Sequence, residues 1–147
     1  MKSFRHFLDE RAKLVGMVKH ADQLLADEDA VSKNDLNQLE KLLDKMFKGF
    51  NIDIEFTRHF LDRVNDSRNK EQITVAELKS IFADAYAKYA KQFSSLNNIE
   101  AVLVDIQSDI NIPFRLEYSK KSKMIELISK TVMRKKGFKT SNRKYNV

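Results

Sequence analysis

The chain has 147 residues, enough for one domain with a modest core or for a smaller domain with an appended segment. Three glycines and one proline are very few, which favours long helices and short connections over a turn-rich sandwich or barrel. The absence of cysteine excludes a disulfide framework, a thiolate zinc site and a cysteine nucleophile. No apolar run approaches the ~20 residues that span a bilayer, so we expect no membrane partner.

The net charge of +6 is distributed unevenly along the chain. Residues 1–49 hold nine basic and nine acidic side chains, and residues 50–114 hold seven and ten. Residues 115–147 hold eleven basic and two acidic side chains. A local positive excess of this size attracts polyanions, and we expect nucleic acid as the partner, RNA more than DNA. The alternative is a solvated basic tail.

The first 25 residues repeat apolar side chains at three- and four-residue spacing, which predicts an amphipathic helix. Ser32 then caps a second helix with Asp35 in its first turn, and Gly49 is positioned as its C-terminal stop. We expect residues 1–49 to form a helical leader segment or hairpin, ahead of a basic α+β domain over residues 50–147.

The remaining elements follow in the order expected of an α+β fold. Ile52–Phe56 alternates with a period of two, as a short strand does. Thr57 begins a helix that runs to about residue 65, and Thr74 with Glu77 forms a capping box for a helix to about Phe93. Three strands are then predicted, over residues 101–106, 112–118 and 124–133. Helices followed by strands predict two helices packed on a small antiparallel sheet.

Residues 1–10 read Met-Lys-Ser-Phe-Arg-His-Phe-Leu-Asp-Glu. This stretch resembles the capsid-targeting leader of internal head proteins of T-even-type bacteriophages, which has the form Met-Lys-Thr/Ser-aromatic-x-x-Phe-Ile/Leu-x-Glu. The resemblance implies entry into the forming prohead and cleavage by a phage protease after Glu10, in a motif that starts at Leu8. It implies a phage scaffold or the prohead protease as partner, and a location in the virion interior and then the host cytoplasm. Alternatively, these residues only begin the first helix.

His59 and Arg63 are four residues apart on a predicted helix, which places imidazole and guanidinium on one face. Histidine can act as a general acid or base near neutral pH, and arginine can hold a phosphate through two parallel hydrogen bonds. Arg68 in the following loop can join them. The alternatives are a boundary histidine without chemistry and an arginine that only pairs with a nearby carboxylate.

The last predicted strand and the tail after it carry basic residues interleaved with aromatic ones. Aromatic rings can stack on bases while the cations contact phosphates. Together with Arg68 in the loop described above, these residues are the nucleic-acid-binding candidates. The complete set is Arg68, Lys130, Thr131, Lys135, Lys136, Lys139, Arg143, Lys144 and Tyr145.

The order of these parts over roughly residues 52–140 resembles small metal-independent ribonuclease domains of the RelE/barnase-like toxin group. The resemblance implies RNA cleavage by attack of the 2′-hydroxyl on the adjacent phosphate, without cofactor or metal. It implies His59 as the general base or acid, with Arg63 and Arg134 stabilising the charge that grows on phosphorus. The carboxylates of Glu100, Asp105 and Asp109 match no metal-binding spacing.

Three functions stay open at this point. The first is a virion-packaged effector that acts on nucleic acid, including cleavage by a ribonuclease. The second is a non-enzymatic internal head protein that binds packaged DNA through its basic face. The third is an inhibitor that binds a host protein.

Overall fold

The computed structural model describes residues 30–147 and confirms the predicted α+β class. The helices and strands are α1, Lys33–Phe47; α2, Arg58–Val64; α3, Val75–Phe93; β1, Ile52–Phe56; β2, Ile99–Asp105; β3, Ile110–Ser119; β4, Met124–Ser129; β5, Met133–Arg134; and β6, Arg143–Asn146. None of the helices in this part of the chain is both long and apolar enough to cross a membrane. The predicted leader helix, with Leu8 and Glu10, lies outside the described residues.

Capping chemistry fixes where the two longer helices begin. Ser32 Oγ accepts from the Asp35 N–H at 3.0 Å, and the Asp35 carboxylate accepts from the Ser32 N–H at 2.9 Å. Thr74 and Glu77 make the same reciprocal pair at the start of α3, with both bonds at 3.1 Å. Each box satisfies amides that the first helical turn leaves free, so both predicted starts are confirmed.

The end of α1 differs from the prediction. A short 3-10 turn, Lys48–Phe50, continues the helix past Gly49, and the residue in the left-handed conformation is Asn51, with φ of 60°. Asparagine tolerates this conformation better than most residues with a side chain. Asn51 Nδ2 also donates to the Lys123 carbonyl at 2.9 Å, so Asn51 both ends the turn and fixes it against the β3–β4 hairpin.

The six strands form one sheet of order β1-β4-β3-β2-β6, with β5 paired to the start of β3. The expectation of an antiparallel sheet is wrong, because the sheet is mixed. Strands β2, β3 and β4 pair antiparallel, whereas β1 lies parallel to β4 and β6 lies parallel to β2. The chain reaches both outer strands through long connections, which allow parallel pairing where a tight hairpin does not.

One hydrophobic core lies between the helices and a single face of the sheet. Strand residues such as Ile54, Leu127 and Leu116 are in register on that face and are fully buried. Helix α1 contributes Leu39 and Phe47 to the same core. The predicted division between residues 49 and 50 therefore runs through a shared core and does not separate two packing units among the described residues.

The segment after β4 departs most from the predicted pattern. The last predicted strand, 124–133, ends at Ser129, and only Met133–Arg134 pairs again, with the start of β3. The tail is not a free basic arm, because Arg143–Asn146 forms β6 at the edge of the sheet. Tyr145 points into the core, 3% exposed, with its ring 5.0 Å from that of Tyr89.

Candidate nucleic-acid groove

An open groove of about 1320 Å³ lies where α2 and the 3-10 turn Ser67–Asn69 meet the β2–β3 turn and the segment around β5. Helix α2 and the 3-10 turn supply three of the predicted residues, and the segment around β5 supplies four. The seven predicted site residues that the fold brings together here are His59, Arg63, Arg68, Thr131, Arg134, Lys135 and Lys136.

His59 and Arg63 contact each other on the exposed side of α2, as their spacing predicts. Arg63 Nε donates to His59 Nε2 at 3.3 Å, and Thr57 starts the helix by accepting from the Phe60 N–H at 3.0 Å. The imidazole is solvent-exposed at the groove. In this arrangement Nε2 is the acceptor, so the neutral ring carries its proton on Nδ1.

Arg134 has a different role from the predicted one. Its Nη1 and Nη2 donate to the Glu77 carboxylate at 3.0 and 2.8 Å. Nη1 also donates to the Ser108 carbonyl at 2.9 Å, and Nη2 to the Gln72 carbonyl at 3.1 Å. Nε donates to the Glu71 carbonyl at 3.3 Å. All five N–H donors of this guanidinium are therefore engaged, and none is left for a phosphate.

The Arg134 contacts hold the walls of the groove together. They connect the loop before α3, the first turn of α3 and the β2–β3 turn, which are distant in sequence. The hydrogen bonds to Glu77 raise the pKa of Arg134 further above its ordinary range. Asn69 is buried beside it and accepts from the Arg134 N–H at 3.0 Å while donating to the Arg63 carbonyl at 2.8 Å.

Asp66 neutralises part of the positive charge that the sequence places in the groove. It accepts from Arg63 Nη1 at 3.0 Å and from Arg68 Nη2 at 2.8 Å. Each arginine keeps an N–H group that has no hydrogen-bond acceptor among the described residues, and the side chains of Arg63 and Arg68 are 36% and 71% exposed. These two cations are therefore oriented by a carboxylate, yet each retains donors for a ligand.

The fold adds acidic and amide residues to the groove that sequence reasoning did not assign to it. Strand β2 contributes its last residue, Asp105, and the β2–β3 turn contributes Gln107, Ser108 and Asp109. Ser108 Oγ donates to Asp105 at 2.6 Å, and the Lys135 N–H donates to the Asp109 carbonyl at 2.8 Å. The sequence shows a polar break between two apolar runs at this point. Such a break predicts a turn, but it does not show which other segments of the chain lie beside that turn.

The other predicted nucleic-acid residues lie outside the groove. Lys130 is paired with Glu100 at 2.7 Å, and hydrogen bonding to Lys130 lowers the pKa of Glu100. Lys139, Arg143 and Lys144 are exposed, and Lys144 Nζ donates to the Phe138 carbonyl at 2.5 Å. Assigning Tyr145 to base stacking is wrong, because its ring is buried against the core aromatics and presents no face to a ligand.

The basic residues of the C-terminal third do not share one surface. Lys135 and Lys136 follow β5, which pairs with the first residues of β3. Lys120, Lys121 and Lys123 lie in the turn after the last residue of β3, at the opposite end of that ten-residue strand. The positive excess seen in the sequence is therefore divided between two ends of the sheet.

A second group of charges lies around the edge strand β1. Carboxylate oxygens of Asp53, Glu55 and Glu126 lie within 4.8 Å of one another, an arrangement that can hold a metal ion. On α1, Asp44 Oδ1 accepts from the Ile54 N–H at 2.7 Å. Burial, with hydrogen bonding and repulsion from Asp53, raises the pKa of Asp44 to about 7. Burial also raises the pKa of Glu55.

No protein-family model, curated protein or solved structure matches the chain. The fold and the site together define an α+β protein with a groove of mixed charge, which is lined by an exposed histidine and several cations.

Proposed function

We propose that the protein binds RNA in this groove, with Arg63, Arg68, Lys135 and Lys136 contacting phosphates. The observation that carries the proposal is that these four cations line one open groove although they come from separate segments. Arg63 and Arg68 are preoriented by Asp66, which reduces the conformational entropy lost when a phosphate is bound. The two lysines are exposed and add mobile charges beside them.

The binding experiment compares two double variants with the same change in net charge. Lys135→Ala with Lys136→Ala removes two cations from the groove, whereas Lys120→Ala with Lys121→Ala removes two from the distant hairpin. Fluorescence anisotropy with a short single-stranded RNA, repeated over a series of salt concentrations, measures the dissociation constant and its salt slope.

We expect the groove variant to bind more weakly and to show a salt slope smaller by about 1–2, since each phosphate contact contributes roughly 0.7. The hairpin variant should stay close to the unmodified protein. Equal losses in both variants would mean that net charge, and not the groove, determines binding. An unmodified protein that does not bind RNA would refute the proposal outright.

Cleavage of the bound RNA is a second candidate function, favoured by the exposed His59 beside Arg63. In this reaction the 2′-oxygen loses its proton to His59 and attacks the adjacent phosphorus. The 5′-oxygen then leaves and takes a proton from water, giving a 2′,3′-cyclic phosphate and a 5′-hydroxyl, while His59 holds the proton from the 2′-hydroxyl until it returns it to solvent. His59 Nε2 must exchange its hydrogen bond from Arg63 for the 2′-hydroxyl before it can act as the base.

The cleavage test uses an RNA and the same sequence with one 2′-deoxy nucleotide at the cut site. We expect His59→Ala to lower the rate at least about a hundredfold, the usual contribution of a general base, without changing affinity. Cleavage that persists in His59→Ala, or at the 2′-deoxy position, would remove this mechanism and leave RNA binding standing.

We further propose that the chain acts after delivery from a phage virion, on the basis of the leader-like residues 1–10. Mass spectrometry of the protein recovered from virions should then find an N-terminus at Arg11. A chain absent from purified virions would contradict this delivery route. A single stoichiometric host protein retained by the purified chain, together with absent RNA binding, would favour the inhibitor function instead.

A further inference from the structure

Resting on the proposed function, we propose that the groove selects single-stranded RNA by its bases and favours those with an exocyclic amino group over uracil. The recognising residue is Asp109, a groove-lining carboxylate that lies beside the phosphate-binding cations. This assigns a base-recognition subsite to the β2–β3 turn, where no role has been assigned so far.

The groove lining carries both signs of charge, and the acidic turn lies directly beside the cationic segment, since the Lys135 N–H donates to the Asp109 carbonyl at 2.8 Å. Asp105 at the end of β2 and Asp109 in the β2–β3 turn come without a basic residue, whereas α2 and the loop after it contribute cations together with Asp66 and Glu71, and the segment after β5 contributes Lys135 and Lys136. A carboxylate that orients no cation for a phosphate only weakens phosphate binding, since it repels phosphate. A single strand presents both parts, because its phosphates are anionic while its unpaired bases offer N–H donors.

Asp109 is held in place by its backbone, and its carboxylate interacts with Arg134 through its charge and not through a hydrogen bond. Its carbonyl accepts from the Lys135 N–H at 2.8 Å and from Asn111 Nδ2 at 3.1 Å. Among the described residues, no hydrogen-bond donor reaches its side-chain oxygens. A carboxylate in this position accepts hydrogen bonds from the amino group of cytosine, and it repels the carbonyl that uracil carries at the same ring position.

The neighbouring Ile106 does not line the groove itself but offers a nonpolar surface at its margin. It lies between the groove-lining residues Asp105 and Gln107 and is 73% exposed, the highest exposure among the large hydrophobic side chains of the described residues. An unpaired base that donates to the turn can cover this side chain and remove apolar surface from water. Because that contact does not depend on the base edge, it adds affinity without adding selectivity.

The experiment compares oligocytidine and oligouridine of equal length at pH 7.5, using fluorescence anisotropy at one salt concentration. The two probes have pyrimidine rings of the same size and the same backbone, and they differ at the base edge. We expect about tenfold tighter binding of oligocytidine, within the range that one good base contact supplies. Equal affinities would overturn the inference while leaving RNA binding intact. Failure of both probes to bind would refute the proposed function itself.

Asp109→Asn is the matched variant, because Asp109 has a φ of 60° and asparagine tolerates this conformation equally well. We expect the cytosine preference to fall to about twofold, with oligouridine bound more tightly once the repelling charge is gone. Asp62→Asn makes the same charge change on the exposed side of α2 outside the groove and should leave the ratio unaltered. Ile106→Ser should weaken both probes about threefold alike. An unchanged ratio in Asp109→Asn, with the native circular dichroism spectrum, would exclude Asp109 as the recognising residue.

Discussion

Asp44→Asn should make the protein more stable above pH 7 and should flatten the dependence of its stability on pH. The carboxyl of Asp44 is half-buried between α1 and β1, where burial and the neighbouring Asp53 raise its pKa from 3.8 to about 7. Glu40, one turn earlier on α1, repels it as well. Asparagine keeps an oxygen that can accept from the Ile54 N–H and removes the charge.

The sign of the effect follows from proton linkage. Between pH 4 and pH 7 the folded protein holds a proton on Asp44 that the unfolded chain has released. The contribution of Asp44 to the free energy of unfolding is therefore fully present below the unfolded pKa of 3.8, and it is lost as the pH rises through about 7. The change in pKa sets an upper bound of roughly 4 kcal/mol. Solvent screening of a half-buried group reduces this to about 1–2 kcal/mol.

Urea unfolding of the unmodified protein and of Asp44→Asn at pH 5, 6, 7 and 8 measures the effect. The free energy of unfolding of the unmodified protein should fall by about 1–2 kcal/mol more over this range than that of the variant. Asp62→Asn, an exposed carboxylate on α2, serves as the control and should follow the unmodified protein. Parallel curves for the unmodified protein and Asp44→Asn would refute the assignment of a raised pKa to Asp44.

Three further substitutions test contacts that hold the fold. Arg134→Lys should lower the free energy of unfolding by about 2–4 kcal/mol in urea, because a single ammonium cannot replace five directed donors to Glu77 and three carbonyls. Thr74→Ala should cost about 1 kcal/mol through loss of the capping box, seen as a lower Tm, whereas Thr74→Ser should retain most of it. Tyr145→Ala should cost about 3–5 kcal/mol, while Tyr145→Phe, which keeps the core ring, should stay within about 1 kcal/mol. The role given to Arg134 would be contradicted if Arg134→Lys unfolded with the same free energy as the unmodified protein. The role of Thr74 would be contradicted if Thr74→Ser had a Tm no higher than that of Thr74→Ala. The role of Tyr145 would be contradicted if Tyr145→Ala had nearly the free energy of unfolding of the unmodified protein.

The parts of the fold that depend on local chemistry were predictable from the sequence. Ser32 with Asp35 and Thr74 with Glu77 identify helix starts because the partners lie three residues apart. The His59–Arg63 contact was predictable for the same reason, since a helical spacing of four brings the side chains together.

The parts that depend on distant partners were not predictable. Strand β6 has one buried side chain, Tyr145, among exposed polar ones, so its period of two is too short to recognise. Its parallel partner β2 lies far upstream in the sequence, and no tight turn connects the two strands to indicate that they pair. The hydrogen-bond partners of Arg134 were also not predictable, because three of its acceptors are backbone carbonyls, which every residue possesses.

The mixed sheet has consequences for the order in which the fold assembles. Its centre, β2-β3-β4, is a meander of neighbouring segments, whereas β1 and β6 each join it in parallel from a remote part of the chain. Closing long loops is slower than closing hairpins, so we expect the meander to form first and both outer strands to dock on it later. When β6 docks on β2, it brings Tyr145 against Phe93 of α3, so completion of the core depends on the most basic part of the chain.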